Sequence, residues 1–190
     1  MNREAITGVR DHAYTLDPAS TQALQPKRAK GGKLLIIGGG LTGIEAATEF
    51  GERGDVEVQL VTHHLVGKGL SAKGRQHIHK TLSRLGVTVH EHVQVNAVHA
   101  NYADSSQGAL AFDACLWAGG FEASPIVRES GFETNEKGQM LVRDTGQSLA
   151  YDNVYGIGDI AQVVMPDGKQ LRMACAVAMP MGAHVADNIS

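Results

Sequence analysis

Cysteine, aromatic residues and excess charge are all scarce in this chain. Its two cysteines, Cys115 and Cys175, lie far apart and form no C-x-x-C pair, which argues against a disulfide scaffold and favours a reducing, cytoplasmic compartment. The formal net charge is −3 and most basic residues are scattered, so we expect no nucleic-acid surface. The composition is that of an ordinary globular protein.

Long hydrophobic runs are missing as well. The longest apolar stretches, such as Leu34–Ile37, have the length of a strand, so no transmembrane helix is expected. The first residues lack the apolar core of a signal peptide. We therefore expect a cytoplasmic protein, and the sequence leaves a peripheral attachment to a membrane open.

Two kinds of catalytic site also lack support. Nine histidines are present, but His77 and His79 diverge on a predicted helix. His90 and His92 have no third ligand at fitting spacing. No serine stands in a G-x-S-x-G setting. The sequence therefore predicts neither a metal site nor a nucleophilic hydrolase, and it nominates no catalytic acid or base.

Glycine, in contrast, is abundant, and its positions help to predict the fold. Many of the 23 glycines stand between an apolar, strand-like run and a helical pattern. The elements predicted in the first half are strands over 33–37, 56–62 and 87–89 and helices after Gly43 and after the N-cap Ser71. This β-α-β-α-β order predicts an α/β protein with a Rossmann-like parallel sheet that has helices on both faces.

The pattern changes after residue 92. Two strands over 93–100 and 109–113, joined by a polar loop over 101–108, predict a small antiparallel meander. The later predicted elements are a strand over 114–118 that returns to the sheet, a short helix near 124–129, strands over 140–142 and 154–157, and a closing helix over 173–189. Trp117, Cys175 and Met179 are expected to be buried.

Residues 38–43 carry the strongest chemical signal. The pattern Gly38-x-Gly40-x-x-Gly43 follows a strand and opens a helix. In that context the first glycine permits a tight turn, the second lets a pyrophosphate approach the backbone, and the third lets helix and strand pack closely. We predict a dinucleotide site here; the alternative is a glycine-rich turn with no ligand. The residues of the predicted site are Gly38, Gly39, Gly40, Leu41, Thr42 and Gly43.

The end of the second predicted strand lacks the acidic residue that normally binds the adenosine ribose. Val61 is followed there by Thr62, His63 and His64. Thr62 and His63 are candidate cofactor contacts that, with Lys68, are compatible with a 2′-phosphate. A merely polar strand end explains Thr62 and His63 equally well, so the choice between NAD and NADP stays open.

Glu45 lies just beyond the third glycine of the motif. One interpretation is an acid in the first turn of the helix, where it complements the helix dipole. The other is a group that faces the reactive end of the cofactor. The sequence leaves both open.

Three segments resemble the FAD-dependent pyridine-nucleotide oxidoreductases in their order and spacing. They are Ile36–Glu45, Leu116–Phe121 and Val154–Asp159. That group includes type II NADH dehydrogenases, ferredoxin reductases and apoptosis-inducing-factor-like proteins. The resemblance implies FAD and NAD(P)H as cofactors. It also implies hydride transfer from the nicotinamide to FAD, and then onward to an acceptor such as a quinone or a redox protein.

The resemblance further implies roles for individual residues. Glu45 would lie near the nicotinamide and the flavin. Gly158 and Asp159 would lie at the FAD ribityl chain, where the aspartate accepts a hydrogen bond. The closing helix would direct its N-terminus at the flavin pyrimidine ring. The segment that returns the chain to the FAD domain would be Ala118, Gly119 and Gly120.

The sequence departs from this family at its start. Family members begin with another glycine-rich strand–helix unit that binds the ADP half of FAD, and residues 1–30 contain no such motif. We therefore expect a lead-in segment over 1–32, an NAD(P)-binding domain over 33–118 and the C-terminal part of an FAD-binding domain over 119–190. The sequence is interpreted as an N-terminally incomplete oxidoreductase. The alternative is a non-catalytic NAD(P)-binding module or a split fragment that needs a partner.

A second departure lies in the closing helix. Type II NADH dehydrogenases tend to place glutamines there, near the quinone, and residues 175–182 contain none. This weakens the interpretation as a quinone reductase and leaves the acceptor open. A sheet edge exposed by the missing segment leaves a homodimer open as well.

Overall fold

The computed structural model of the chain describes residues 6–16, 31–163 and 170–189. The chain divides into two compact units, Met1–Gly120 and Phe121–Ser190, and each is described by itself. The basic residues Lys27, Arg28 and Lys30 of the predicted lead-in lie outside the described residues.

The first unit alternates strands and helices and then forms a run of short strands. Its helices are α1 (Val9–His12), α2 (Leu41–Arg53) and α3 (Ala72–Arg84). Its strands are β1 (Lys33–Ile37), β2 (Glu57–Val61), β3 (Thr88–His90), β4 (Val95–Val98), β5 (Tyr102–Ser105), β6 (Gly108–Ala111) and β7 (Ala114–Trp117).

A four-stranded parallel sheet forms the centre of the first unit. Its strand order is β3-β2-β1-β7, and every neighbouring pair is parallel. Leu34 and Ile36 of β1 pack against one face and Leu35 and Ile37 against the other, so this strand is buried on both sides. The predicted α/β fold with a Rossmann-like parallel sheet is therefore confirmed, with β7 as its fourth strand.

Helices α2 and α3 cover one face of this sheet. Ile44, Ala47 and Phe50 of α2 recur at helical spacing and join the core. The helix ends at Gly54, which adopts a left-handed φ of 63°. The predicted N-cap of α3 is also confirmed, because the Ser71 Oγ accepts a hydrogen bond from the Gly74 N–H at 3.1 Å.

The opposite face is covered by α1 and by an antiparallel sheet of order β4-β5-β6. The structure corrects the prediction of a polar loop over 101–108, because β5 (Tyr102–Ser105) lies inside that range. Ala103 is fully buried whereas its neighbours Tyr102 and Asp104 are exposed. Polar side chains on the outer face of a half-buried strand therefore concealed it.

The described part of the predicted lead-in segment, residues 6–16, packs into the first unit. Val9 is fully buried and Ala13 is nearly so. The Tyr14 N–H donates to the Cys115 carbonyl at 2.8 Å, and its own carbonyl accepts from the Trp117 N–H at 2.7 Å. This short stretch thus extends the sheet beyond β7, which local periodicity could not reveal.

The second unit is built from short elements around a separate core. They are α4 (Ile126–Glu129), β8 (Met140–Leu141), a 3-10 helix (Gly158–Ile160), β9 (Ala161–Gln162) and α5 (Cys175–Ile189). The predicted strand over 154–157 is wrong: Tyr155 makes an isolated bridge with Gln147, and the strand beside β8 is β9. Gly156 packs under Met140, where a Cβ would lie 2.5 Å from the Met140 Cε, so this segment fills a gap in the core.

Two predictions of burial fail in α5. Trp117 is buried as predicted, but Cys175 is exposed and Met179 is 78% exposed. Met181 and Val185, four residues apart, form the buried face of α5. Met179 precedes Met181 by two positions and therefore lies on the opposite side of the helix. Across the described ranges, no helix has the length and apolar content needed to cross a membrane.

Candidate nucleotide-binding site

The turn after β1 requires glycine at its first and third motif positions. Gly38 has a φ of 128°, and a Cβ there would lie 2.8 Å from the Ala118 carbonyl. A Cβ on Gly43 would lie 1.8 Å from the Gly38 oxygen. Both positions are thus sterically closed to a side chain, which lets α2 approach the end of β1 closely.

The second motif glycine, Gly40, stands in a different environment. It is exposed, and a Cβ built on it would meet nothing within 4 Å. Gly40 is the N-cap of α2 and supplies no side-chain cap, while the first N–H groups of a helix lack intrahelical partners. Leu41 and Thr42 open that first turn. The unoccupied space beside Gly40, at the N-terminus of a 13-residue helix, would let a dinucleotide pyrophosphate approach the backbone closely.

A pocket of about 540 Å³ opens at the carboxyl ends of the parallel strands. Its lining residues are Ile6, Ile37, Gly38, Val61, Thr62, His63, His64, Val93, Gln94, Val95, Asn96, Trp117, Gly119 and Gly120. The chain proceeds from β1 to β2 on one side and returns through β7 on the other, so the pocket lies at a switch in strand order. Such switch points are where open α/β sheets bind ligands.

The segment after β7, Ala118 to Gly120, contacts the glycine turn of residues 38–43. Two of the three segments that carry the family resemblance therefore lie side by side. Ala118 packs on both Gly38 and Gly43, and its N–H donates to the Ile37 carbonyl at 2.9 Å. Gly119 lies against the Trp117 ring, which a Cβ would approach to 2.7 Å. Gly119 and Gly120 line the pocket, whereas Ala118 supports it from below.

Trp117 brings an unusual polar group to the pocket. Its side chain is 5% exposed, and its Nε1 is buried with no hydrogen-bond partner among the described residues. Buried polar groups are normally satisfied, so this unpaired indole N–H is an exception within the first unit. Sequence reasoning treated this tryptophan as core and had no signal for its unpaired donor.

Cys115, two residues before Trp117 in β7, is a buried thiol. Cys115 is fully buried, and burial raises the pKa of its thiol from 9.0 to about 12. The thiolate needed for disulfide exchange is therefore inaccessible at neutral pH.

The end of β2 contacts the glycine turn directly. Thr62 is buried against Gly39, where a Cβ would lie 2.7 Å from the Thr62 Oγ1. The Gly67 N–H donates to the Gly39 carbonyl at 2.8 Å, which ties the loop after β2 to the turn. Thr62 thereby supports the turn and lines the pocket with the exposed His63 and His64.

Glu45 differs in position from the prediction. Helix α2 begins at Leu41, so Glu45 lies beyond the first turn, where the dipole effect has already weakened. It is exposed and does not line the pocket. The interpretation of Glu45 as a first-turn acid that complements the helix dipole is therefore wrong. The interpretation of Glu45 as a group that faces the cofactor stays a prediction.

The second unit presents Gly158 and Asp159 in its 3-10 helix. Gly158 has a φ of 67°, and its N–H contacts the Met181 Sδ at 3.3 Å. The Asp159 side chain is exposed, which fits a hydrogen bond to a ribityl hydroxyl. A strand–glycine–helix cradle occurs once among the described residues, after β1, and the FAD contact at Asp159 stays a prediction. Within those residues, no group of three or more potential ligands suits a metal ion.

Known proteins resemble this chain over most of its length. An NADH dehydrogenase-like protein of Mycobacterium tuberculosis is 28% identical over 176 residues, which cover 86% of this chain and 44% of the relative. The type II NADH:quinone oxidoreductase of Haemophilus influenzae is 25% identical over 173 residues, 82% of this chain and 39% of the relative. The chain thus spans less than half the length of these relatives.

Solved structures show the same fold. The ferredoxin reductase for the CYP199A2 system from Rhodopseudomonas palustris matches with a TM-score of 0.81 and 18% identity over 98% of this chain and 48% of that one. A NAD-dependent persulfide reductase from A. fulgidus matches with a TM-score of 0.80 and 21% identity over 98% of this chain and 37% of that one.

A family model described as pyridine nucleotide-disulphide oxidoreductase matches residues 2–182, nearly the whole chain. This match spans the glycine turn and the pocket, so the geometry and the sequence point the same way. The chain belongs to the pyridine nucleotide-disulphide oxidoreductase family.

Proposed function

We propose that this chain is the NAD(P)H-binding part of a flavoprotein oxidoreductase that passes hydride from nicotinamide to FAD and then electrons to an acceptor. The observation that carries the proposal is the glycine turn, closed at Gly38 and Gly43 and open at Gly40, beside a pocket at the switch in strand order. A parallel α/β sheet needs these two features to bind the pyrophosphate of a dinucleotide.

The chain's own residues bind and orient the nucleotide. The backbone at Gly40 and the N-terminus of α2 hold the pyrophosphate through N–H groups and the helix dipole. The Trp117 side chain forms part of the pocket wall and gives the nucleotide an apolar surface. FAD, when bound, supplies the two-electron chemistry.

Glu45, Ala118, Gly119, Gly120, Gly158 and Asp159 remain in the roles predicted for them. Glu45 would face the nicotinamide end from the second turn of α2, and exposure leaves its carboxylate free to do so. Asp159 would accept a hydrogen bond from an FAD hydroxyl. Holding both rings in stacking contact is the protein's contribution to hydride transfer.

The acceptor belongs to the same proposal. One relative is named a type II NADH:quinone oxidoreductase, and one structural neighbour is a complex of putidaredoxin reductase with putidaredoxin. A quinone or a redox protein is accordingly the class of acceptor we propose. A cytoplasmic location, a peripheral membrane attachment and a homodimer stay predictions.

The test uses the single tryptophan of the chain. Trp117 lines the pocket, so bound NADH or NADPH should quench its emission by energy transfer to the reduced nicotinamide. FAD absorbance is read on the same sample. Quenching with flavin that the nucleotide bleaches supports the reductase. Quenching without flavin supports the alternative, a nucleotide-binding module that needs a partner. No quenching and no binding by calorimetry would overturn the proposal.

A pair of glycine variants makes the test specific. Gly40→Ala adds a Cβ to the open space that the pyrophosphate would occupy. We expect the affinity for NADH and NADPH to fall about tenfold or more. Gly182→Ala is the control, because Gly182 lies in the second unit and a Cβ there meets nothing nearer than the Ile157 side chain at 3.8 Å. Equal affinities for the two variants would argue against binding at the glycine turn.

A further inference from the structure

The loop after β2 carries a cluster of cationic groups beside the pocket. His63 and His64 line the pocket and stack with ring centroids 4.7 Å apart. The pKa of His64 is lowered, chiefly by the nearby Lys68 ammonium and then by partial desolvation, His63 and His92. Every charged group that lowers the pKa of His64 is cationic, and His63 and His64 line the pocket, so this side of the pocket favours an anionic group.

One carboxylate that contacts this loop, Glu91, is already engaged. Glu91 follows β3, and its Oε1 accepts the Val66 N–H at 2.6 Å and lies 3.1 Å from the His79 Nε2. These contacts hold Glu91 to the backbone of the same loop. It therefore secures the loop that carries Lys68, and its carboxylate is occupied in a way that disfavours binding to ribose hydroxyls.

The position of the loop after β2 relative to the glycine turn indicates which part of a bound dinucleotide would lie beside the cationic cluster. The Gly38 N–H donates to the Val61 carbonyl at 2.9 Å, and the Gly67 N–H donates to the Gly39 carbonyl at 2.8 Å. The cationic cluster is thus fastened to the β2 side of the turn. A dinucleotide whose pyrophosphate lies on this turn directs its adenosine ribose to the end of the second strand.

We propose that His63, His64 and Lys68 form a site for the 2′-phosphate of NADPH, so that this chain prefers NADPH to NADH. The inference rests on the proposed function and narrows its nucleotide. A phosphate monoester carries about −1.5 to −2 charges at neutral pH and accepts several charge-assisted hydrogen bonds. Three of the proteins named above are described with NADH or NAD, so this preference would set the chain apart from those three.

The same groups make the preference depend on pH. In the free protein the cationic neighbours favour neutral His64, whereas a bound 2′-phosphate favours the protonated imidazole. NADPH binding is therefore coupled to proton uptake, and its affinity rises as the pH falls from about 8 to about 6.5. NADH lacks the 2′-phosphate and should show a much flatter profile over the same range.

The experiment titrates the full chain with NADPH and with NADH at both pH values, followed by quenching of Trp117. We expect NADPH to bind about tenfold or more tightly than NADH at the lower pH, with a smaller ratio at the higher pH. Lys68→Gln should reduce NADPH affinity several-fold and leave NADH affinity unchanged. His64→Asn also alters the pocket lining and should weaken NADPH binding more than NADH binding. Lys80→Gln, which removes an exposed lysine of α3, is the charge-matched control and should change neither.

The possible outcomes distinguish failure of the NADPH preference from failure of the proposed function. NADH binding as tightly as NADPH, or more tightly, overturns the inference and leaves the proposed function intact. Equal weakening of both nucleotides by Lys68→Gln also overturns it, because Lys68 would then contact the pyrophosphate. Binding of neither nucleotide overturns the proposed function itself.

Discussion

At the scale of single residues, two of the three motif glycines are explained by contacts within the protein. Gly38 and Gly43 are excluded from carrying side chains by the protein's own backbone, at 2.8 and 1.8 Å, whereas a Cβ on Gly40 would meet nothing. These contacts agree with the packing roles predicted for Gly38 and Gly43, and the role of Gly40 at a pyrophosphate stays a prediction. Sequence reasoning could not identify His64, Lys68 and His92 as one electrostatic group, because the loop after β2 and the segment after β3 meet only after folding.

The contact at Gly43 predicts a loss of stability. Gly43→Ala gains about 1 kcal/mol of helix propensity but places a Cβ 1.8 Å from the Gly38 oxygen, where backbone must move. We expect a net loss of about 2 kcal/mol in the free energy of unfolding, measured by urea denaturation. Gly182→Ala, at an uncrowded helical position, serves as the control and should be neutral or slightly stabilising. An unchanged Gly43→Ala midpoint would contradict the packing described here.

The two thiols should react very differently with an alkylating reagent. Cys115 is buried with its pKa raised to about 12, whereas Cys175 is exposed. Native protein at about pH 8 should therefore be labelled at Cys175 alone, and denatured protein at both positions. Mass spectrometry of the labelled peptides measures this. Rapid native labelling of Cys115 would show that the β7 strand opens readily.

The raised pKa of Cys115 also carries a pH dependence of stability. The folded state favours the neutral thiol, so its stabilising effect is complete below the unfolded value of 9.0 and is lost as the pH rises toward about 12. Cys115→Ala removes this effect. Its unfolding free energy should accordingly vary less between pH values of about 8 and about 10 than that of the original chain, with Cys175→Ala as the control.

At the scale of elements, local signals predicted α2, α3 and the central strands well and the irregular elements poorly. The strong apolar periodicity of 33–37 and the caps at Ser71 and Gly54 act within a few residues. By contrast, β5 shows mostly polar residues and β9 has only two. Their pairing depends on neighbours that are distant in sequence, so short-range patterns carry little information about them.

The cap of α3 provides a prediction at this scale. Ser71→Ala removes the oxygen that accepts the Gly74 N–H and should cost about 1 kcal/mol of unfolding free energy. Ser83→Ala, at an exposed position near the other end of the same helix, is the matched control and should be neutral or better. Thermal or urea denaturation followed by circular dichroism compares the two. Equal effects would mean that Ser71 does not cap α3.

At the scale of the whole molecule, the division after Gly120 has a functional consequence. The glycine turn, the pocket and Trp117 all lie within the first unit, which has its own two-sided core. A unit with its own core is expected to fold independently. Residues 1–120 expressed alone should therefore unfold cooperatively and keep nucleotide-dependent quenching of Trp117. A polypeptide that stays unfolded by circular dichroism would show that the first unit needs the second.

The sequence by itself determined the parallel α/β architecture, the glycine turn and the family, because each follows from local patterns of apolar and glycine residues. Only the tertiary structure decided which residues surround the nucleotide pocket. The packing of separate strands buries the Trp117 Nε1 without a hydrogen-bond partner. It also brings His92 close to His64 in the loop after β2. Burial and electrostatic fields are properties of the assembled sheet, so no window of neighbouring residues contains them.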